Sequence, residues 1–185
     1  MNAEWAQALL YANLLSHIAL LAGAFWCIAF PARRLYPMTS PNVWYYGMWA
    51  LFGLVFFSNP VFVVIDWNSG PWPSTLRFWL ALPVAFLGAA LVSWGMVTLG
   101  AKRTSGLPEE LVARGPYLVT RNPQYVGDFF LFLGVAIFAN SEVVAVTHLL
   151  TALVLLVAPL AEEPWLEEQY GEAYVAYSQG VPRYL

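Results

Sequence analysis

The chain has 185 residues, of which 60% are hydrophobic, 17% aromatic and only 10% charged, with a mean hydropathy of +0.61. An average soluble domain is about 25% charged, so a soluble globular fold is excluded. Disorder, collagen and a disulfide scaffold are excluded with it, because polar low-complexity tracts are absent and the one cysteine, Cys27, has no partner in the chain. A net charge of -3 offers no dense basic face for nucleic acid, which leaves an all-α integral-membrane protein.

A bilayer core of about 30 Å takes about 20 helical residues. Three stretches free of Asp, Glu, Lys and Arg are long enough: Trp5 to Ala32, Leu35 to Ile65, and Phe78 to Ala101. A fourth apolar segment, Pro123 to Asn140, carries the single charge Asp128, and a fifth runs from Val143 to Ala161 with none. The expectation is a bundle of about five transmembrane helices. The start Met1-Asn2-Ala3-Glu4 has no basic region and the first apolar run is too long for a signal peptide, so the first helix is expected to be retained. Pro60 and Pro83 fall inside spans and read as architectural kinks. Gly88, Ala89 and Gly95 permit close helix contact without saying whose helix approaches, which leaves the oligomeric state open. Cys27 reads as a small buried hydrophobe, and His17 and His148 as interhelical hydrogen-bonding residues.

Threading five spans puts Arg33, Arg34, Lys102, Arg103, Arg114, Arg121 and Arg183 on one side and leaves Arg77 alone on the other. The positive-inside rule makes the arginine-rich side cytoplasmic and places the N-terminus outside. No internal repeat is visible. Residues 1–100 form three helices joined by the connectors Pro31 to Pro41 and Asp66 to Pro73. Residues 101–185 form a core of cytoplasmic loop, transmembrane hairpin and C-terminal helix. The short turn Asn140-Ser141-Glu142 makes spans four and five antiparallel neighbours, which returns the polar segments Ala101 to Asn122 and Glu162 to Leu185 to one membrane face.

The chemistry lies in those two segments. Asn122 is a favoured N-cap and Pro123 a favoured first helical residue. The helix start that they mark, with Arg121 beside it, suits a carboxylate or phosphate, although an Arg-flanked span is also ordinary membrane anchoring. Pro164 predicts that span five breaks at Glu163 and turns Glu162 and Glu163 into a polar mouth opposite Arg121, fit for a cation or sugar hydroxyls. Beyond the break, Leu166, Tyr170, Ala173, Tyr174 and Tyr177 recur as an amphipathic interfacial helix, with Glu167, Glu168 and Glu172 on a solvated face. Asp128, about 1.5 turns into span four, serves either a substrate-side role or a salt bridge. No Cys, His and acid cluster has metal-ligand spacing, so no metal site is expected, and no Walker, GxGxxG or GxSxG motif is present.

Taken together, Gly115-Pro116-Tyr117, Arg121-Asn122-Pro123-Gln124-Tyr125-Val126-Gly127, Glu162-Glu163, Gly171-Glu172-Ala173-Tyr174, Tyr177 and Val181-Pro182-Arg183 resemble the isoprenylcysteine carboxyl methyltransferase family and the related membrane phospholipid methyltransferases. The resemblance runs from about Leu99 to the C-terminus. It implies an integral-membrane enzyme that binds S-adenosylmethionine between the loop, the cytoplasmic ends of the hairpin and the C-terminal segment. Tyr117 and Arg121 would lie near the methionine moiety and Glu162 and Glu163 near the ribose or amino group, while Val181-Pro182-Arg183 closes over the adenosine. Asn122, Tyr125 and Gly127 would belong to the same cofactor-binding block, with Arg121, Glu163 and Asp128 as the catalytic set. Position 122 is Asn where eukaryotic members usually have His, and the chain lacks the tail some relatives carry, which argues against an imidazole role and a prenylated-protein substrate.

The implied acceptor is the carboxylate, thiol or amine of a lipid or small hydrophobic molecule. A carboxylate or thiolate needs no base, whereas an ammonium must first lose a proton, to Glu162, Glu163 or Asp128. An NADPH-dependent membrane reductase of the same architecture and a non-catalytic scaffold or small transporter remain open alternatives.

Overall fold

The computed structural model describes residues 4–38, 40–72 and 74–185, and every regular element among them is helical. Met1 to Ala3 at the expected retained N-terminus, Thr39 of the first connector and Pro73 of the second lie outside the described residues. The helices are α1 (Glu4–Ala29), α2 (Val43–Ile65), α3 (Arg77–Leu99), the single turn α4 (Ala101–Thr104), α5 (Pro123–Ala139), α6 (Glu142–Tyr170) and α7 (Glu172–Gly180). Helices α1, α2, α3 and α6 are long and apolar enough to cross a bilayer, and α5, at 17 residues, is a shorter apolar helix. The expected five spans are thus four long helices and one shorter one.

The second span starts at Val43 rather than Leu35 because Pro37 and Pro41 withhold backbone donors ahead of it, and because Asn42 caps it by accepting from Trp44 N and Tyr45 N at 3.0 and 3.1 Å. Pro164 does not break span five. Helix α6 continues through Pro159 and Pro164 and ends at Gly171, whose φ of +56° side-chain-bearing residues avoid. A proline costs a helix one donor, and that loss is tolerated where neighbouring groups engage the backbone. Pro159 and Pro164 withhold the donors of the Leu155 and Leu160 carbonyls, and next to the first of these Tyr184 Oη donates to Leu156 O at 2.6 Å. The C-terminal amphipathic segment is therefore split between the end of α6 and α7. Its acidic face is not wholly solvated either: Arg34 Nη2 reaches both carboxylate oxygens of Glu168 at 2.5 Å, since the connector after α1 folds back onto α6.

The most intimate packing is α3 against α5, across the position where the sequence divides at residue 100. A Cβ on Gly88 would stand 2.3 Å from Leu131 N and 2.7 Å from Gly127 O, and one on Gly134 would stand 2.5 Å from Ala85 N. The small residues of α3 therefore serve contact within the chain. Helices α1 and α2 are held by buried polar pairs. Asn13 Nδ2 donates to Ser58 Oγ at 2.7 Å, Thr147 Oγ1 to Asn59 Oδ1 at 3.2 Å, and His17 Nε2 meets Thr151 Oγ1 at 2.9 Å. His148 departs from the interhelical expectation. Its Nδ1 bonds to Val144 O at 2.7 Å, a carbonyl one turn earlier in its own helix, and its ring sits edge-on to Phe132. Cys27 is buried as expected, with Sγ accepting from Leu35 N at 3.3 Å.

At the far end, a buried Arg77 donates to Asn68 Oδ1 at 2.6 Å and to the carbonyls of Trp72 and Phe138. Asp66 Oδ2 accepts from Ser69 and Ser141 at 2.7 and 2.6 Å. These bonds tie the connector between α2 and α3 to the turn between α5 and α6. Both polar segments, with their arginines, lie together at the opposite end.

Candidate functional site

The site is assembled where the C-terminal segment is laid against the residues preceding α5. Arg121 N donates to Pro182 O at 2.9 Å, and Arg183 O accepts from Thr120 Oγ1 at 3.1 Å and from Asn122 Nδ2 at 3.0 Å. Asn122 thus occupies the N-cap position of α5 while its side chain does not cap the helix. The amide is spent instead on anchoring Arg183, because the C-terminal strap runs across that helix start.

The strap delivers Arg183 to Glu163, which accepts from its Nε at 2.7 Å and its Nη2 at 2.6 Å. From the other side, Arg121 Nη1 lies 3.1 Å from Glu163 Oε1. One largely buried carboxylate therefore faces two guanidinium groups. These bonds to Glu163 raise the Arg183 pKa above its usual value, so the strap stays cationic at any physiological pH. Arg121 Nη1 also approaches Tyr174 Oη at 3.5 Å, and Arg121 Nε is buried with no acceptor.

Glu162, the neighbouring acid, points to different partners. It accepts a short hydrogen bond from Tyr125 Oη and has no cationic partner among the described residues. Tyr36, from the connector between α1 and α2, lays its ring against Gly106 of the first polar segment, where an added Cβ would stand 2.6 Å from its Cε2. Tyr117 is buried, its hydroxyl accepting from Gln124 Nε2 at 3.1 Å and its carbonyl from Tyr177 Oη at 2.7 Å. Burial pushes the Tyr174 and Tyr177 phenols up to about 12 and the Tyr117 phenol higher still, so all three stay protonated.

Beside Tyr125 opens an apolar cavity of about 250 Å³, lined chiefly by Val126, Phe129, Leu155, Leu156 and Tyr184. A polar cluster at the head of an apolar groove suits an amphiphile whose headgroup meets charge while its chain stays in hydrocarbon.

Of the residues singled out by sequence, Tyr117, Arg121, Asn122, Tyr125, Glu162, Glu163, Pro182 and Arg183 are brought together. Two are not. Gly127 faces α3, where a Cβ would meet Val92 N at 2.7 Å, so its missing side chain serves helix packing. Asp128, one turn beyond Tyr125 on α5, is half-buried and makes no ion pair among the described residues, outside the Arg121–Glu163–Arg183 group. Sequence reasoning passed over Tyr36 and Tyr184. Neither stands in a recognisable spacing with the polar segments, and only the folding back of their flanking chain brings them near.

The profile of the phospholipid methyltransferase family matches residues 76–173, from the start of α3 to the beginning of α7. Phosphatidylethanolamine N-methyltransferase of Rattus norvegicus is 36% identical to the chain over 100 residues, which cover 47% of this chain and 50% of that protein. The chain thus aligns with about half the length of this curated relative. No solved structure matches it significantly. With more than half of its residues inside the family profile, the chain belongs to the phospholipid methyltransferase family.

Proposed function

We propose that the protein is a multi-pass membrane methyltransferase that transfers the methyl group of S-adenosylmethionine to the amine headgroup of a membrane lipid, at a site on the cytoplasmic side. The observation that carries this reading is the arrangement of Arg121, Glu163 and Arg183 beside an unpaired Glu162 at the head of an apolar groove. The name of the rat relative, which is an N-methyltransferase of phosphatidylethanolamine, supports an amine acceptor.

The residues present fit the donor. An amino acid moiety needs a cation for its carboxylate and an anion for its ammonium. Arg121 Nε is a buried donor without an acceptor, and Glu163 is an acid already seated between guanidiniums. When bound, the sulfonium supplies a methyl group that is electrophilic without a metal or a covalent nucleophile. Arg121 and Glu163 bind the amino acid end, and Tyr117 and Asn122 hold the surrounding backbone. The strap carrying Pro182 and Arg183 lies across the start of α5 beside Arg121 and brings the Arg183 guanidinium to Glu163.

Glu162 attends to the acceptor. Glu163 is neutralised by two arginines and makes a poor base, whereas Glu162 meets the Tyr125 phenol and no cation among the described residues. It would receive the lipid ammonium and take its proton, leaving a neutral amine able to act as the nucleophile. The groove beside Tyr125 takes the proximal acyl chain.

Calorimetry on detergent-purified protein tests the donor site with S-adenosylhomocysteine. Wild-type protein should bind it, and Arg121→Ala and Glu163→Ala should each weaken binding about tenfold or more, the loss of a charge-assisted hydrogen bond. Undiminished binding in both variants, or displacement of the ligand by NADPH, overturns the reading. Transfer of a labelled methyl group to phosphatidylethanolamine vesicles, lost in Glu162→Gln, tests the acceptor.

A further inference from the structure

The first polar segment and the start of α5 meet through the side chain of Gln124. Its stem lies in a notch on α3, where a Cβ on Gly95 would stand 2.9 Å from Gln124 Cγ and 3.4 Å from its backbone N. From that notch Gln124 Nε2 donates to Tyr117 Oη at 3.1 Å and to Thr104 Oγ1 at 3.3 Å. An amide nitrogen carries two hydrogens, and both are used. Tyr117 is held by its backbone as well, its N donating to Arg114 O at 3.2 Å and its carbonyl accepting from Tyr177 Oη at 2.7 Å. The Tyr177 ring lies 6.1 Å from that of Tyr174, the phenol that Arg121 approaches, and Gln124 immediately precedes Tyr125, the donor to Glu162. The Tyr117 hydroxyl is thus fixed among residues of the site.

A phenol is a donor as well as an acceptor. Tyr117 is only 7% exposed, yet its own hydroxyl proton meets no acceptor among the described residues. Burial outweighs the bond from Gln124 and keeps the phenol above its ordinary pKa, so the proton stays on the oxygen. We infer that Gln124 is a positioning residue for Tyr117, and that the hydroxyl it holds is a donor to the ligand: with the amide on its lone pair, the O–H is left to meet an anionic oxygen. The inference rests on the function proposed above, which brings two such oxygens, the carboxylate of the methyl donor and the phosphate of the lipid. Glutamine suits the task where glutamate does not, because an ionised carboxylate only accepts and would take the Tyr117 proton for itself. A hydroxyl fixed before the ligand arrives also loses little freedom when it binds.

The test uses Tyr117→Phe, Gln124→Glu, Gln124→Leu and the Tyr117→Phe/Gln124→Leu double variant in purified protein. If the oxygen is the donor's carboxylate, Tyr117→Phe should weaken S-adenosylhomocysteine binding about tenfold, the loss of a hydrogen bond to a charged group. If it is the lipid's phosphate, that affinity should hold and KM for phosphatidylethanolamine vesicles should rise by about the same factor. Neither change overturns the inference. Gln124→Glu, which keeps the shape and supplies no donor, should weaken the same quantity by about threefold or more. Wild-type values in Gln124→Glu overturn the positioning role. In the Tyr117→Phe background Gln124→Leu should cost less than about twofold, because the group it acts through is gone, and costs that multiply overturn the inference. A readout independent of turnover is the tyrosine ring doublet in the ultraviolet resonance Raman spectrum, which reports whether a phenol oxygen accepts or donates. The Tyr117 contribution, assigned by its loss in Tyr117→Phe, should shift in Gln124→Leu even if that variant melts lower, and an unmoved doublet overturns the inference. If wild-type protein neither binds S-adenosylhomocysteine nor methylates the vesicles while the doublet moves, the proposed function falls and the ligand role of Tyr117 with it, and the hold of Gln124 on Tyr117 stands.

Discussion

The Arg121 guanidinium stands 3.1 Å from the Glu163 carboxylate, yet its Nε is buried without an acceptor. An unused donor beside an ion pair marks where a ligand oxygen is welcome, because leaving such a group unmade costs about 1–3 kcal/mol. Arg121→Lys keeps the charge and removes the planar fork, so S-adenosylhomocysteine affinity measured by calorimetry should fall about tenfold or more. Equal affinity in the lysine variant would show that only charge matters there.

Glu163→Gln should destabilise the fold as well as weaken binding, because Arg121 and Arg183 then face each other without their shared anion. The cost should fall below the about 3–5 kcal/mol of a fully buried pair, since the Arg183 side chain is 36% exposed and water screens it. Thermal melting in detergent reads this, and Arg183→Gln should melt higher than Glu163→Gln.

The seam between α3 and α5 admits no extra carbon. Gly88→Ala should destabilise by about 1–3 kcal/mol, the usual range for overpacking, because its Cβ would collide with the backbone of Leu131 and Gly127. Gly23→Ala on α1, where nothing lies within 4 Å of the added carbon, is the matched control and should be neutral or gain slightly from helix propensity. A Gly88→Ala protein as stable as wild type would mean that the two helices are free to move apart.

Thr151→Val removes the partner of His17 while preserving shape. Interhelical hydrogen bonds within bilayers average about 0.6 kcal/mol and reach about 1.7, so a small loss in chemical denaturation is expected. A loss far above that range would mean that the pair organises more of the bundle than one bond.

Asp66 gives the far end an acid dependence. Partial burial works against its charged form, but hydrogen bonds from Ser141, Ser69 and the Val143 N–H outweigh it and hold the carboxyl below the ordinary aspartate value. A depressed folded pKa contributes stability that is full above the unfolded value of about 4 and is lost as pH falls through the folded one. Wild-type protein should therefore lose melting temperature below about pH 4 more steeply than Asp66→Asn. Parallel curves would remove Asp66 from the acid response.

Much of this architecture was legible in the order of residues. The charge-free lengths located the spans, since bilayer thickness converts directly into residue count, and the short turn at Asn140 and Ser141 brought both polar segments to one end. The expectation that the acids at the end of span five stand opposite Arg121 holds for Glu163, which lies 3.1 Å from Arg121 Nη1, and not for Glu162. Pro164 does not end the helix as expected, because the local restriction on the residue before proline yields to the tertiary bonds of Glu162, Glu163 and Glu168 on either side of it.

Composition and spacing by themselves determined that the chain is a membrane helical bundle with its polar segments at one end, because burial in lipid forbids charge and exposed backbone over a fixed length. Only the tertiary structure decided that α3 packs on α5, that Glu163 is shared by two arginines while Glu162 has none, and that the first connector folds back to lay Tyr36 on Gly106. Those outcomes depend on which faces approach and how closely. Side-chain direction and interhelical distance are set by packing between segments remote in the chain, and a one-dimensional pattern does not encode them residue by residue.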